Sequence, residues 1–269
     1  MTDPRPPAGR AAAGPAPAGR DPRAHTAPWR LPDDPAERLA LAKGYPYPAP
    51  ERSYLFVHGE PRPIDEADFR GRTPVLGHGS NRAPSQLARK FRAFQGRDAE
   101  IPVTFAWLDD YDVVYSAHVT TYGAIASTLQ AVPGCRVRVA LTWLDDRQLE
   151  RMHETEGHYG FGRLQGARVR HEAGPHAAGD AVMMYLSDHG CLLHDSAPVG
   201  LAAVPAEGRR HPALHQEDAL ALVRDRLAAG ADLDRFILES IADPELRWRR
   251  IQALRAHAQP THVPHFQDV

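Results

Sequence analysis

Hydrophobic and polar positions alternate along several short segments of the chain, and this alternation predicts β-strands. Residues 112–119 (DVVYSAHV) and 136–144 (RVRVALTWL) combine it with β-branched residues. Between them, the VPG of residues 132–134 is typical of a turn. The segments ARVRHEA (167–173) and DAVMMYLS (180–187) predict two further strands. We therefore expect a sheet built from the middle of the chain.

A longer hydrophobic period, with apolar residues three and four positions apart, predicts helices. One helix is expected over DDRQLERMHETEG, with Asp145 as its N-cap, Gln148 three residues on, and Gly157 at its end. Residues 216–258 predict a helical C-terminal region. Strands and helices are mixed without regular βαβ alternation. The pattern therefore predicts an α+β fold with a small barrel-like sheet.

Composition divides the chain into four segments. Twelve of the 25 prolines fall in residues 1–50, which we expect to form a flexible Pro/Ala/Arg-rich arm or, alternatively, a docking tail. Residues 51–72 are a connecting segment, in which SYLFV (53–57) predicts an edge strand that pins the arm to the domain. The globular domain is expected over 73–210, followed by a helical extension over 211–269.

The overall composition narrows the classes of function. A hydrophobic content of 42% in 269 residues supports a packed core. A net charge of −2 does not indicate a basic surface for binding nucleic acid or an anionic membrane. No apolar run has the length of a membrane span, and the N-terminus lacks the pattern of a secretory signal. The 15 histidines do not follow metal-binding spacings, and the two cysteines do not make a disulfide framework. We expect a cytoplasmic protein without a metal, membrane or nucleic-acid partner; its oligomeric state is left open.

The first candidate site is the loop in TPVLGHGSNRAPSQLARKF, between an expected strand and an expected helix. Gly77 and Gly79 are expected to take positive φ and to turn successive backbone amides toward one point. Ser80 and Asn81 lie just before the helix, so its positive dipole end faces the same point. The pattern therefore indicates a site for a carboxylate or phosphate. The alternative interpretation is a tight strand-to-helix turn.

The second candidate is an acidic residue near the end of the predicted helix. Four residues spaced for one helix face are Leu149, Met152, His153 and Glu156. Leu149 and Met152 are apolar and direct that face to the core. Glu156 is therefore expected to point inward, at the negative end of the helix dipole. Both effects oppose an ionised carboxylate, and such conflicts concentrate at functional sites. The alternative is a partly buried glutamate paired with Arg163 or Arg168.

Both candidates occur together in a known family. The chain resembles the γ-glutamylcyclotransferase-like superfamily in a series of motifs that keep their order and spacing from about Pro74 to Leu186. The matching stretches are VLGHGSN, LDDYDVVY, YGAIAST, PGCRVRVALTW, MHETEGHYGFGRL and AVMMYLS. Three positions depart from the family pattern: His78 replaces a tyrosine, Arg82 an apolar residue, and His153 an aspartate.

The resemblance implies a fold, an activity and a set of site residues. The fold is a small mixed β-barrel with flanking helices, and residues 73–210 are the γ-glutamylcyclotransferase-like domain. Glu156 would be the general acid/base. The residues implied to bind the substrate are Val75, Leu76, Gly77, His78, Gly79, Ser80, Asn81 and Tyr185. The reaction would be intramolecular aminolysis of a small-molecule γ-glutamyl or related amide, which yields 5-oxoproline and a free amine. One carboxyl group would move both protons, without a metal or cofactor.

Two other classes of function stay open at this point. An amide hydrolase, or another acyl-transfer enzyme on the same fold, would use water in place of the substrate amine. A non-catalytic binding protein would keep the fold and act through its terminal segments. An inward-facing glutamate argues against the second class, because burying an acid without a use is costly.

Overall fold

The structure is a computed structural model that describes residues 29–157, 159–175 and 181–269. In these ranges it contains six α-helices and two β-sheets. The helices are α1 (Pro35–Lys43), α2 (Pro84–Lys90), α3 (Asp146–Thr155), α4 (Gln216–Leu227), α5 (Leu233–Ala242) and α6 (Pro244–Arg255). The strands are β1 (Tyr54–Val57), β2 (Glu60–Pro63), β3 (Thr73–Gly77), β4 (Glu100–Val119), β5 (Ile125–Leu144), β6 (Tyr159–Leu164), β7 (Val169–His171), β8 (Val182–Ser187), β9 (Leu193–His194), β10 (Ala197–Pro198), β11 (Gly200–Leu201), β12 (Ala206–Glu207), β13 (Ala213–Leu214) and β14 (Phe266–Asp268). None of the helices in the described ranges has the length and apolar character needed to cross a bilayer.

The larger sheet has 12 strands and is open. Its main order is β13-β11-β4-β5-β3-β8-β6-β14, and β9 and β10 form a separate two-stranded sheet. The predicted α+β class is confirmed, but the predicted closed barrel is wrong. The cause lies in β4 and β5, which are 20 residues long. One edge of β4 pairs with β5, and its other edge pairs in succession with β1, β7 and β11, so the sheet broadens instead of closing.

The hairpin of β4 and β5 turns at residues 120–124, where the amide of Thr120 donates to the carbonyl of Ala124 and Gly123 has φ +84. The predicted turn at residues 132–134 is wrong. That segment lies inside β5, at a shift of register opposite Asp110. Proline, which lacks an amide, and glycine at positive φ suit a β-bulge as well as a turn, which explains the error.

Part of the predicted flexible arm is folded. Residues 1–28 lie outside the described residues, but α1 follows with Asp34 as its N-cap and Pro35 in its first turn. Beyond α1, Tyr45 and Tyr47 are buried. The arm prediction is therefore wrong for residues 29–50. Its error was to count every proline as a breaker, since proline in a first helical turn starts a helix.

The connecting segment and the C-terminal region follow the prediction in part. The strand expected at SYLFV exists as β1, but it pairs with both β2 and β4 and is therefore not an edge strand. The C-terminal region contains α4, α5 and α6 and is helical as predicted, with Asp232 capping α5 and Pro244 opening α6. This region is not a separate unit, because α6 packs on β4 and β14 pairs with β6.

The two faces of the sheet bury different side chains. A larger core contains Leu76 with residues of α1, α4, α5 and α6, such as Phe236. A smaller core contains Val75 with residues of α2 and α3, such as Leu87 and Met152. Adjacent residues of β3 therefore point to opposite sides, as the strand period requires. The loop that follows β3 consequently begins between the two cores.

Candidate functional site

A cavity of about 100 Å³ lies where the loop after β3, the start of α2 and the end of α3 meet the sheet. Seven of the predicted site residues line it: Glu156, Leu76, His78, Gly79, Ser80, Asn81 and Tyr185. Two others do not. Val75 is buried in the smaller core, and Gly77 pairs with Ala140 in the sheet. The fold thus brings both candidate sites to one cavity.

The glycines of the loop serve a different purpose from the one expected. Gly79 has φ −113, and neither Gly77 nor Gly79 has a positive φ. The prediction of left-handed backbone is therefore wrong. What Gly79 supplies is space, because a Cβ there would collide with the hydroxyl of Tyr45 and lie 2.7 Å from Oγ of Ser127. The helix expected after the loop exists as α2, which begins at Pro84.

A chain of buried hydrogen bonds runs behind the loop, and its direction can be assigned. Nε2 of His78 lies 3.0 Å from the carbonyl oxygen of Tyr185, which can only accept. Burial lowers the pKa of His78, so its ring is neutral and Nδ1 accepts from Ser127 at 3.0 Å. Oγ of Ser127 then accepts from the hydroxyl of Tyr45 at 2.6 Å. His78 is therefore held in one tautomer and fixes the loop.

Glu156 follows α3 directly. The predicted N-cap is confirmed, with Asp145 and Gln148 forming a capping box. The helix ends at Thr155, and Glu156 itself is the C-cap. The side chain of Glu156 is 12% exposed and lines the cavity, so its inward orientation is confirmed. His153, which was predicted on the same inward face, is exposed.

Glu156 has two partners in the described part of the chain. Nδ2 of Asn81 donates to Oε1 at 3.0 Å, and the ammonium of Lys90 forms an ion pair with the same oxygen. The alternative pairing with Arg163 or Arg168 is wrong, and both arginines are exposed. The compensating charge comes from α2 instead.

Lys90 is the unexpected member of the site. Its side chain is only 3% exposed, and Nζ also lies 3.4 Å from Sδ of Met152. Burial lowers the pKa of Lys90, while the neighbouring Glu156 acts in the opposite direction. A buried pair of this kind is costly to assemble, so it is weak evidence for stability alone.

Aromatic side chains complete the cavity wall. The rings of Trp29 and Tyr122 pack 5.4 Å apart, and Tyr45 and Tyr159 also line the space. Burial raises the pKa of Tyr45 to about 12 and raises the pKa of Tyr159 above its ordinary value, which keeps these hydroxyls protonated at neutral pH. The hydroxyl of Tyr185 lies 2.9 Å from Nδ1 of His153. This part of the wall is thus aromatic, and its hydroxyls stay protonated.

Among the residues of the site and its surroundings that sequence reasoning missed are Lys90, Tyr45 and Ser127. For Lys90 a signal existed, since it lies three residues after Leu87 and therefore on the buried face of α2. For Tyr45 and Ser127 we find no such signal, because their contact joins segments far apart in the chain. In the described residues, no group of three or more His, Cys, Asp or Glu side chains is arranged to hold a metal ion.

Comparison with known proteins found no match to a protein-family model, a curated protein or a solved structure. Function must therefore be inferred from the chemistry of this cavity.

Proposed function

We propose that this protein catalyses intramolecular aminolysis of a γ-glutamyl amide, giving 5-oxoproline and a free amine. The observation that carries the proposal is the hydrogen bond between Asn81 and Glu156 at the cavity wall. It joins the glycine-rich loop to the acidic residue, the two elements that the family resemblance pairs. The tethered amine and carbonyl of such a substrate need little further entropy loss to react.

The attacking amine of the substrate fits the polar end of the cavity. Glu156 offers a carboxylate, and Oδ1 of Asn81 is buried without a hydrogen-bond partner among the described residues. A buried acceptor without a donor is unfavourable, so the site favours a ligand that supplies N–H groups. The α-ammonium group of the substrate would donate to the carboxylate of Glu156 and to Oδ1 of Asn81. Glu156 would then accept the proton that the amine must lose before it attacks.

The loop offers donors for the negative end of the substrate. The amides of Ser80 and Asn81 open the 3-10 turn Ser80–Arg82, so they have no intrahelical acceptor. We assign them to the α-carboxylate or to the oxyanion that develops on the γ-carbonyl. This keeps the role predicted for the loop while replacing its expected backbone geometry.

The proposal is tested by incubating the protein with a panel of γ-glutamyl amides and measuring 5-oxoproline by mass spectrometry. Glu156→Gln should lower kcat/KM by about 10²–10⁴-fold, the usual effect of losing a general acid/base. The matched control is Glu150→Gln, an exposed glutamate on the same helix, which should leave the rate unchanged. Absence of 5-oxoproline with every amide would refute the proposal. Release of glutamate in its place would favour the hydrolase alternative.

A further inference from the structure

The ammonium group of Lys90 has one hydrogen more than the protein uses. Nζ carries three N–H groups, and its acceptors in the described residues are Oε1 of Glu156 and Sδ of Met152. Lys90 also lines the cavity. The third N–H is therefore available to a ligand atom in the cavity, directly beside the group that we assign as the base.

A purely structural role explains this placement poorly. A buried ion pair is often no more stable than apolar side chains of similar volume, and the surrounding core of Leu87, Phe91 and Met152 would accept such a side chain. The pair stands at the wall of the cavity instead. Groups that are costly to bury and that face a cavity are candidates for catalysis.

We propose that Lys90 is the general acid that protonates the leaving nitrogen, while Glu156 is the base that deprotonates the attacking amine. This inference rests on the proposed function and divides between two residues the proton transfers that one carboxyl was expected to perform. Burial favours the neutral amine of Lys90, which makes its ammonium a better proton donor than an exposed lysine.

The proton transfers balance over one turnover. Glu156 takes one proton from the substrate ammonium, and the neutral amine then forms the new C–N bond to the γ-carbonyl carbon. Lys90 gives a proton to the leaving nitrogen as the old C–N bond breaks. Glu156 passes the first proton across the ion pair to neutral Lys90, then takes the second proton from the ring nitrogen and gives it to the departing amine. The substrate ammonium loses two protons, the product amine gains two, and both residues are restored.

Other ionisable groups near the pair are poorer candidates for this step. His78 is neutral, with both ring nitrogens engaged. Burial raises the pKa of Tyr122, Tyr159 and Tyr185 above the ordinary tyrosine value, which makes their hydroxyls weaker acids. Arg151 lies near Lys90, but a guanidinium does not release its proton in proteins.

The test varies the basicity of the leaving amine at nearly constant size. We would compare γ-glutamyl ethylamide with γ-glutamyl 2,2,2-trifluoroethylamide, whose amine leaves with far less need for protonation. Lys90→Met should lower kcat/KM for the ethylamide by about 10²–10⁴-fold, but for the trifluoroethylamide by less than about tenfold. Lys90→Arg keeps the positive charge beside Glu156 but cannot donate its proton, so it should show the same selective loss.

Three controls separate the possible outcomes. Glu156→Gln should lower both rates alike, since the amine must be deprotonated whichever group leaves. Equal losses with both amides in the two Lys90 variants would overturn the role of Lys90 and leave the proposed function standing. If the native protein formed 5-oxoproline from neither of these amides nor from any other γ-glutamyl amide of the panel, the proposed function would fall and this inference with it. Circular dichroism checks folding, and Lys90→Arg decides the matter if Lys90→Met does not fold.

Discussion

The hydroxyl oxygen of Tyr45 lies 2.6 Å from Oγ of Ser127, across 82 positions of the chain. The backbone amide of Ser127 also donates to this hydroxyl, at 3.2 Å. Through Ser127 and His78 the contact reaches the carbonyl of Tyr185 on β8. The N-terminal segment is therefore tied, by buried hydrogen bonds, to β5 and β8, the two strands that pair with β3.

We expect Tyr45→Phe to weaken both the fold and the site. The substitution leaves the buried amide and hydroxyl of Ser127 without their partner, at a cost of about 1–3 kcal/mol in the free energy of unfolding. It also removes the donor that orients the hydroxyl of Ser127 toward His78, so formation of 5-oxoproline should fall. Urea unfolding and the mass-spectrometric assay measure the two effects.

Tyr47→Phe is the matched control for that experiment. Tyr47 is also buried, and its hydroxyl donates to the carbonyl of Leu41 at 3.1 Å, away from the cavity. This variant should lose a comparable part of its stability and keep its rate. Equal loss of activity in both variants would mean that Tyr45 acts only through general stability.

Gly79→Ala should destabilise the protein by collision and not by backbone strain. Its Cβ would meet the hydroxyl of Tyr45 and Oγ of Ser127, both held in place by their mutual hydrogen bond. Because Tyr45→Phe removes one colliding atom, the double variant should be more stable than the sum of the two single effects predicts. Urea titrations of the four proteins give this coupling.

Gly160→Ala serves as the comparison for the collision. A Cβ at Gly160 would have its nearest neighbour at 3.5 Å, an ordinary contact. Strict additivity of Gly79→Ala and Tyr45→Phe would show that the loop avoids the collision by shifting.

Removing the folded part of the N-terminal segment should be far more damaging than the composition of the chain suggests. A protein that begins at Glu51 lacks Trp29, Leu41, Tyr45 and Tyr47, all of them buried. Each large buried side chain contributes about 2–5 kcal/mol. Compared with a protein that begins at Trp29, its thermal midpoint should fall by more than about 10 °C, given about 2–4 °C per kcal/mol at this size. Equal midpoints for the two proteins would contradict the packing of α1 and its flanking residues.

The features of the fold that could be predicted from the sequence are those encoded by residues close together in the chain. The capping box of Asp145 and Gln148 lies within four residues, and the alternation in β4 and β5 lies within each strand. The failures concern choices that local signals leave open. Proline and glycine at 132–134 fit a turn or a bulge, and only the pairing of β4 with β5 decides between them.

The candidate site likewise combines features that a local pattern predicts with contacts between distant segments that it does not predict. The local helix period predicts an inward Glu156, but it also places the exposed His153 on that face, because it does not show that the helix ends at Thr155. Lys90, the partner of Glu156, belongs to another helix, and Asn81 reaches Glu156 from a loop 75 positions away. The ion pair depends on how α2 packs against α3, which no single segment encodes.

The stability of Glu156→Gln should depend on pH in a way that exposes Lys90. The substitution leaves a buried ammonium without its countercharge, for which the loss is up to about 3–5 kcal/mol near neutral pH. Burial already lowers the pKa of folded Lys90 below its ordinary value of 10.5, and Glu156 opposes that effect. Without Glu156 the pKa falls further.

The direction of the pH effect follows from proton counting. Between the lowered pKa of the folded state and the ordinary value of 10.5 in the unfolded state, the unfolded chain binds more protons, so stability rises with pH. Removing Glu156 widens that interval. The stability deficit of Glu156→Gln relative to the native protein should therefore shrink as the pH rises from about 7 to about 10. Urea midpoints measured across this range test it. The double variant Lys90→Met/Glu156→Gln has no ammonium at position 90. Its stability deficit relative to the native protein should therefore not shrink as the pH rises over this range. A constant deficit for Glu156→Gln would mean that Lys90 finds water or another acceptor once the carboxylate is gone.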